Sequence, residues 1–126
     1  VNIIGWLYGQ FIGDTALVTA LGGSDQIVRA YPNTIDTLPI MAFLEANNRD
    51  ESFYENRPLG ASEAVDIHVF TKFDTPTTTI SDLISAKMSD LLFTRDYQAD
   101  QDDPSTKVRH KVMKFSRDNI VQQDLA

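Results

Sequence analysis

The chain contains no cysteine. That excludes a disulfide framework, thiol catalysis and any zinc site built on thiolates, and it is compatible with a reducing compartment. Histidine is nearly as scarce. His68 and His110 stand far apart, with no His-x-His or His-x-x-x-His spacing to suggest a metal site. Each reads as a structural or surface histidine. Long apolar runs are also missing. None approaches the roughly 20 residues that a membrane-spanning helix needs, so no membrane contact is expected. The N-terminus is not expected to act as a signal peptide, because it lacks a basic leading region and Asp14 interrupts its apolar part. Positive charge is in short supply: 11 Lys and Arg stand against 18 Asp and Glu, for a net charge of −7. A surface that grips nucleic-acid phosphates throughout is therefore not expected.

What remains is ample for one core. The 126 residues are 42% hydrophobic, too apolar for general disorder and sized for a single domain spanning residues 1–126. Ile3, Ile4, Leu7, Phe11 and Ile12 recur at helical spacing, and Asp14 or Thr15 can cap a continuation carrying Leu17, Val18 and Leu21. Two short helices or one kinked helix both satisfy this pattern. Gly22-Gly23 supplies a helix stop. Residues 27–31 read as extended; 38–45 suits a strand buried on both faces or a short buried helix, with Pro39 at the strand start or on an edge. From Val65 the alternation is clean: Val65, Ile67, Val69, Thr71 and Phe73 share one face, and Asp66, His68, Phe70 and Lys72 the other. Pro76 suits the first turn of the helix that follows. Ile80, Leu83, Ile84, Met88, Leu91 and Leu92 form its apolar stripe, with Ser81, Asp82, Ser85, Ser89 and Asp90 off it. The core is expected where Val65, Ile67 and Val69 meet that stripe. Residues 93–99 and 107–117 pair as an antiparallel hairpin. The switch from Val108, His110 and Val112 to Met113 and Phe115 suggests a β-bulge in its second arm. The polar tail after Asp118 is expected to fray. The fold class is α+β.

Charge is concentrated in that hairpin. Asp96, Asp100, Asp102 and Asp103 precede Lys107, Arg109, Lys111, Lys114 and Arg117, as two arms of complementary sign. The acidic turn lacks the glycine and bidentate glutamate of a calcium loop. Ser81, Ser85 and Ser89 repeat every four residues with no base placed to activate them. Gly22-Gly23 before Ser24 lacks the remaining glycines and the lysine of a phosphate loop. Trp6 and Tyr8 are expected to pack in the core, with an interface role as the alternative. No nucleophile–base pair, metal cluster or cofactor fingerprint emerges, so neither an enzyme nor a cofactor is expected. A rival reading is a small ligand-binding domain or enzyme with a site between sheet and helices. A third is a generic protein-interaction domain.

The order of these elements resembles the tail-completion, or tail-terminator, proteins of long-tailed bacteriophages, including the tail-to-head joining proteins. The matching stretches are residues 17–23, 27–32, 38–43 and 65–71, the helix over 80–92 and the basic C-terminal strand. The resemblance implies a mixed or antiparallel sheet with N-terminal helices and one central amphipathic helix packed on it. It implies a homo-oligomeric ring, of six copies, at the head-proximal end of the tail tube. Such a ring halts tube growth, contacts the tail tube protein and the head-tail connector, and lets DNA pass without specific binding. It is part of the virion at the head–tail junction and is assembled in the host cytoplasm. No catalytic residue is implied.

Two segments are then candidates for function. Residues 47–62 form a long polar loop or hairpin extension between the second and third strands. There Arg49, Phe53, Tyr54, Arg57 and Leu59 place apolar anchors among charges of both signs, the make-up of a binding patch. They are expected to act as an assembly arm. The acidic turn carrying Asp100, Asp102 and Asp103 is expected to face solvent or a DNA channel and to hold no metal.

Overall fold

A computed structural model of the chain describes residues 3–30, 32, 37–46 and 62–118. The N-terminal apolar stretch folds as two helices, α1 (Ile3–Ile12) and α2 (Thr15–Leu21). Asp14 separates them. Its backbone is extended, and its Oδ1 accepts the Leu17 N–H at 3.2 Å, satisfying one of the donors that a helix start leaves unpaired. Gly22 closes α2 with a left-handed φ of 92°, a conformation that costs glycine little. From there its N–H reaches the Val18 carbonyl at 3.0 Å, as does that of Gly23.

A 3₁₀ turn (Ser24–Gln26) leads into β1 (Ile27–Val28). This strand is shorter than the expected 27–31. Past Val28 the Arg29 guanidinium lies 4.6 Å over the Tyr8 ring of α1, so the chain turns to the helices instead of continuing the ladder. β2 (Ile40–Glu45) begins immediately after Pro39, where a missing N–H does no harm to the pairing. It is buried on both faces, with Ile40, Met41, Ala42 and Phe43 all in the core. β3 (Ser62–Lys72), α3 (Thr78–Asp90), β4 (Thr94–Asp100) and β5 (Val108–Asp118) complete the order. The sheet runs β1-β2-β3-β5-β4, with β1 and β2 parallel and every other pair antiparallel. The fold is α+β, and of the mixed or antiparallel sheet that the resemblance implies it has the mixed one.

All three helices contribute to one cluster on one face of that sheet. Ile3, Leu7 and Phe11 of α1, Leu17 and Leu21 of α2, and Ile80, Ile84 and Met88 of α3 join Met41, Phe43, Val65, Ile67, Val69, Met113 and Phe115. Leu83 and Leu91 pack at its margin. Phe11 meets Phe43 edge to face, with ring centroids 5.1 Å apart, the arrangement that aromatic quadrupoles favour. The strand–helix core expected from period two and period 3.6 is present. The share taken by α1 and α2 makes it larger than the sequence patterns of β3 and α3 alone suggest.

Several details differ from the sequence reading, each for a local reason. Phe73 lies beyond the end of β3 and is 37% exposed, with the Arg109 guanidinium 4.9 Å over its ring. Pro76 precedes the N-cap residue Thr77 and so stands outside the first turn of α3. Leu92 follows the C-cap residue Leu91 with a left-handed φ of 70° and is 70% exposed; the helix ends before it can join the stripe. Ser81 is buried, its hydroxyl donating to the Thr78 carbonyl. Trp6 is not a core residue: it is 38% exposed and covers Arg117.

The bulge sits in β4, not β5. β5 pairs with β3 in unbroken register from Ser62↔Asp118 to Lys72↔Val108. The shift falls between Arg95 and Tyr97, leaving Asp96 as the extra residue. The apolar switch within β5 has another cause. Met113 and Phe115 face the helices, whereas His110 and Val112 face the opposite side beside Phe70 and His68. One regular strand thus supplies apolar residues to both faces at different points along its length.

Candidate functional site

The acidic turn is a folded structure with its charges largely matched. Asp100 meets Lys111 Nζ at 2.9 Å, and Asp102 meets Arg109 Nη1 at 3.3 Å while accepting the His110 backbone N–H at 3.0 Å. Asp103 Oδ1 accepts both the hydroxyl and the backbone N–H of Ser105, which holds its carboxyl below the ordinary range. The hairpin arms carry complementary charge, as the sequence suggests. Asp100, Asp102 and Asp103 are all exposed, and ion pairs open to solvent add little to stability. The turn is a charge-compensated tip facing outward. The proposed arm residues Arg49, Phe53, Tyr54, Arg57 and Leu59 lie outside the described residues, as does the tail after Asp118.

A cluster that the sequence does not announce lies on the face of the sheet opposite the helices. The β3–β5 register sets Phe70 opposite His110 and His68 opposite Val112, which makes the two histidines diagonal neighbours. His68 Nδ1 and His110 Nε2 are 2.8 Å apart. Phe70 stacks on His110 with ring centroids 4.3 Å apart and planes 18° from parallel. Burial lowers the pKa of His68; nearby Asp66 opposes this and Lys114 adds to it. Burial likewise lowers that of His110, assisted by His68 and opposed by Asp102. Asp66 Oδ1 is buried and stands 3.6 Å from Lys114 Nζ, an ion pair slightly too long to be a hydrogen bond. The two histidines are 42 residues apart in the chain, and only the strand register could have brought them together on paper.

A second cluster closes one end of the molecule. Arg117 of β5 donates Nε–H to Glu63 Oε1 of β3 at 2.7 Å and Nη1–H to the Leu91 carbonyl at 2.8 Å. That carbonyl belongs to the C-terminus of α3, where a cation complements the helix dipole. The same guanidinium lies 4.6 Å from the centre of the Phe93 ring and 5.0 Å from that of Trp6, cation–π contacts that add to the packing. Arg117 therefore joins α1, β3, α3 and β5.

No hydrolytic pairing arises among the described residues. Ser85 receives Arg95 Nη1 at 3.4 Å and Ser81 donates to Thr78; both serines lie on the helix layer, and the histidines occupy the far face of the sheet. Among the described residues, side chains such as Leu7, Phe11, Ile67 and Ile84 are fully buried between sheet and helices. An open pocket of about 230 Å³ is lined by Leu38, Pro39, Thr71, Lys72 and Thr75 at the β2–β3 edge. It offers one cation and no acid–base pair. No protein-family model matches the chain, and no curated protein does so.

Proposed function

We propose that the chain is a structural virion protein that closes into a ring at the head-proximal end of a phage tail tube, ends tube growth and joins the tail to the head connector. The observation that carries this reading is the order of elements. Two short helices, a buried β2, a long β3, one amphipathic α3 and a basic terminal strand follow one another as in the tail-terminator proteins that the sequence resembles. The mixed sheet with all helices on one face agrees with what that resemblance implies. The role on this reading is assembly and not catalysis; Asp14, Asp103 and the Arg117–Glu63 pair serve a cap, a turn and an ion pair. The net charge of −7 suits a passage for DNA, because an acidic surface repels phosphate and does not retain it. Ring closure requires one heterologous contact repeated around a closed rotation, and on this reading residues 47–62 are the assembly arm, set against a neighbour or the tail tube.

The reading is tested by assembling tails without the protein. Tubes are expected to outgrow their normal length and to remain unattached to heads. Tubes of normal length that join heads in its absence would contradict the proposal.

A further inference from the structure

We propose that His68 and His110 form a proton-gated clasp between β3 and β5, closed while the pair holds at most one added proton and opened by the second. The geometry dictates the stoichiometry. A nitrogen–nitrogen distance of 2.8 Å is a hydrogen bond, so one nitrogen carries the proton and the other presents a lone pair. With both rings neutral the bond stands. With one ring protonated it still stands, and it strengthens, because the donor is now charged. With both rings protonated, two N–H donors of like charge face each other and neither can accept.

The surroundings favour the closed states. Phe70 stacked on His110 withholds water from the pair, and partial burial disfavours charge on both rings. Among the described residues, the charged groups on this face are Asp66 and Lys72 of β3 and Lys114 of β5, with Asp102 of the turn near His110 and Tyr97 of β4 beside Lys114. β2 presents Ile40 and Ala42 opposite Phe70 and His68, and β4 presents Ala99 opposite Val112; none of these titrates. Asp66 favours the charged form of His68 and Asp102 that of His110, but burial outweighs both, and each carboxylate is shared with a cation, Lys114 and Arg109. The backbone ladder of β3 and β5 is independent of the rings. Opening is therefore confined to side chains: the imidazoles separate and the stacking of Phe70 on His110 loosens.

The sign follows from linkage. Both histidines titrate below their ordinary value in the folded chain, so the unfolded chain binds more protons as the pH falls through about 6.5. The stability contributed by the pair is present above about pH 6.5 and is lost as the pH drops through the lowered values. Because the groups interact, the protons enter in two macroscopic steps.

The test compares the native chain with the double variant His68→Asn, His110→Gln, whose amides keep a hydrogen bond but cannot charge. The denaturant midpoint of the native chain is expected to fall between about pH 7 and pH 5, a window above most carboxylate titration. The fall is expected to shrink by more than half in the variant. An equal fall in both proteins would overturn the proposal. Should the double variant not fold, the ring-proton NMR signals of the native chain decide the matter. Two coupled steps, the second well below about pH 6.5, support the clasp, and two independent single titrations near that ordinary value refute it.

Discussion

Ile84→Ala is expected to lower the unfolding free energy by about 2–5 kcal/mol, the range for a fully buried Ile truncated to alanine. Ile84 is 0% exposed and sits in the stripe by which α3 enters the core cluster with Val65, Ile67 and Val69. Removing its outer carbons takes apolar surface out of the core and leaves a cavity that neighbouring strands, held by an eleven-residue β3 and an eleven-residue β5, cannot easily collapse to fill. Denaturant unfolding followed by circular dichroism reads the change directly. A shift below about 0.5 kcal/mol, the scale of surface substitutions, would mean that α3 does not dock on the sheet through this residue.

Arg117→Ala is expected to cost about 3 kcal/mol, at the lower end of the range for breaking a buried ion pair, since a little of the pair remains accessible. The side chains of Arg117 and Glu63 are only 17% and 10% exposed. Without the guanidinium, Glu63 is left as a largely buried charge with no counter-ion, the Leu91 carbonyl loses a donor, and Trp6 and Phe93 lose the cation between them. A double-mutant cycle with Glu63→Gln separates these contributions. The double variant is expected to be less destabilised than the sum of the two single changes, because a neutral amide in place of the carboxylate leaves no buried charge behind. Strict additivity within about 0.5 kcal/mol would show that the two side chains act independently.

Much of this architecture is legible where a single periodicity governs. β3 alternates, so its faces could be assigned residue by residue. α3 carries one stripe, so Ile80, Ile84 and Met88 could be placed in the core. Asp14 and Gly22 bound α2 because a carboxylate cap and a left-handed glycine act through adjacent residues only. Reading failed where the outcome depends on distant partners. The pattern of β5 suggests a bulge, but the strand is regular and serves two faces. Trp6 reads as core until Arg117 is found beneath it. Leu92 fits the stripe by spacing, yet the helix has ended before it. The histidine pair was invisible because neither local spacing nor composition encodes the β3–β5 register. The acidic turn was readable as charge, but the pairing of Asp100 with Lys111 and of Asp102 with Arg109 depends on how the hairpin closes.

The proposed function rests on copies of this chain closing a ring around the end of the tube, and electron microscopy of assembled tails, averaged down the tube axis, tests that most directly. The account predicts a single ring of six copies at the head-proximal end, each copy making the same contact with the next. A lone copy bound to the side of the tube, or no density at that end, would contradict it.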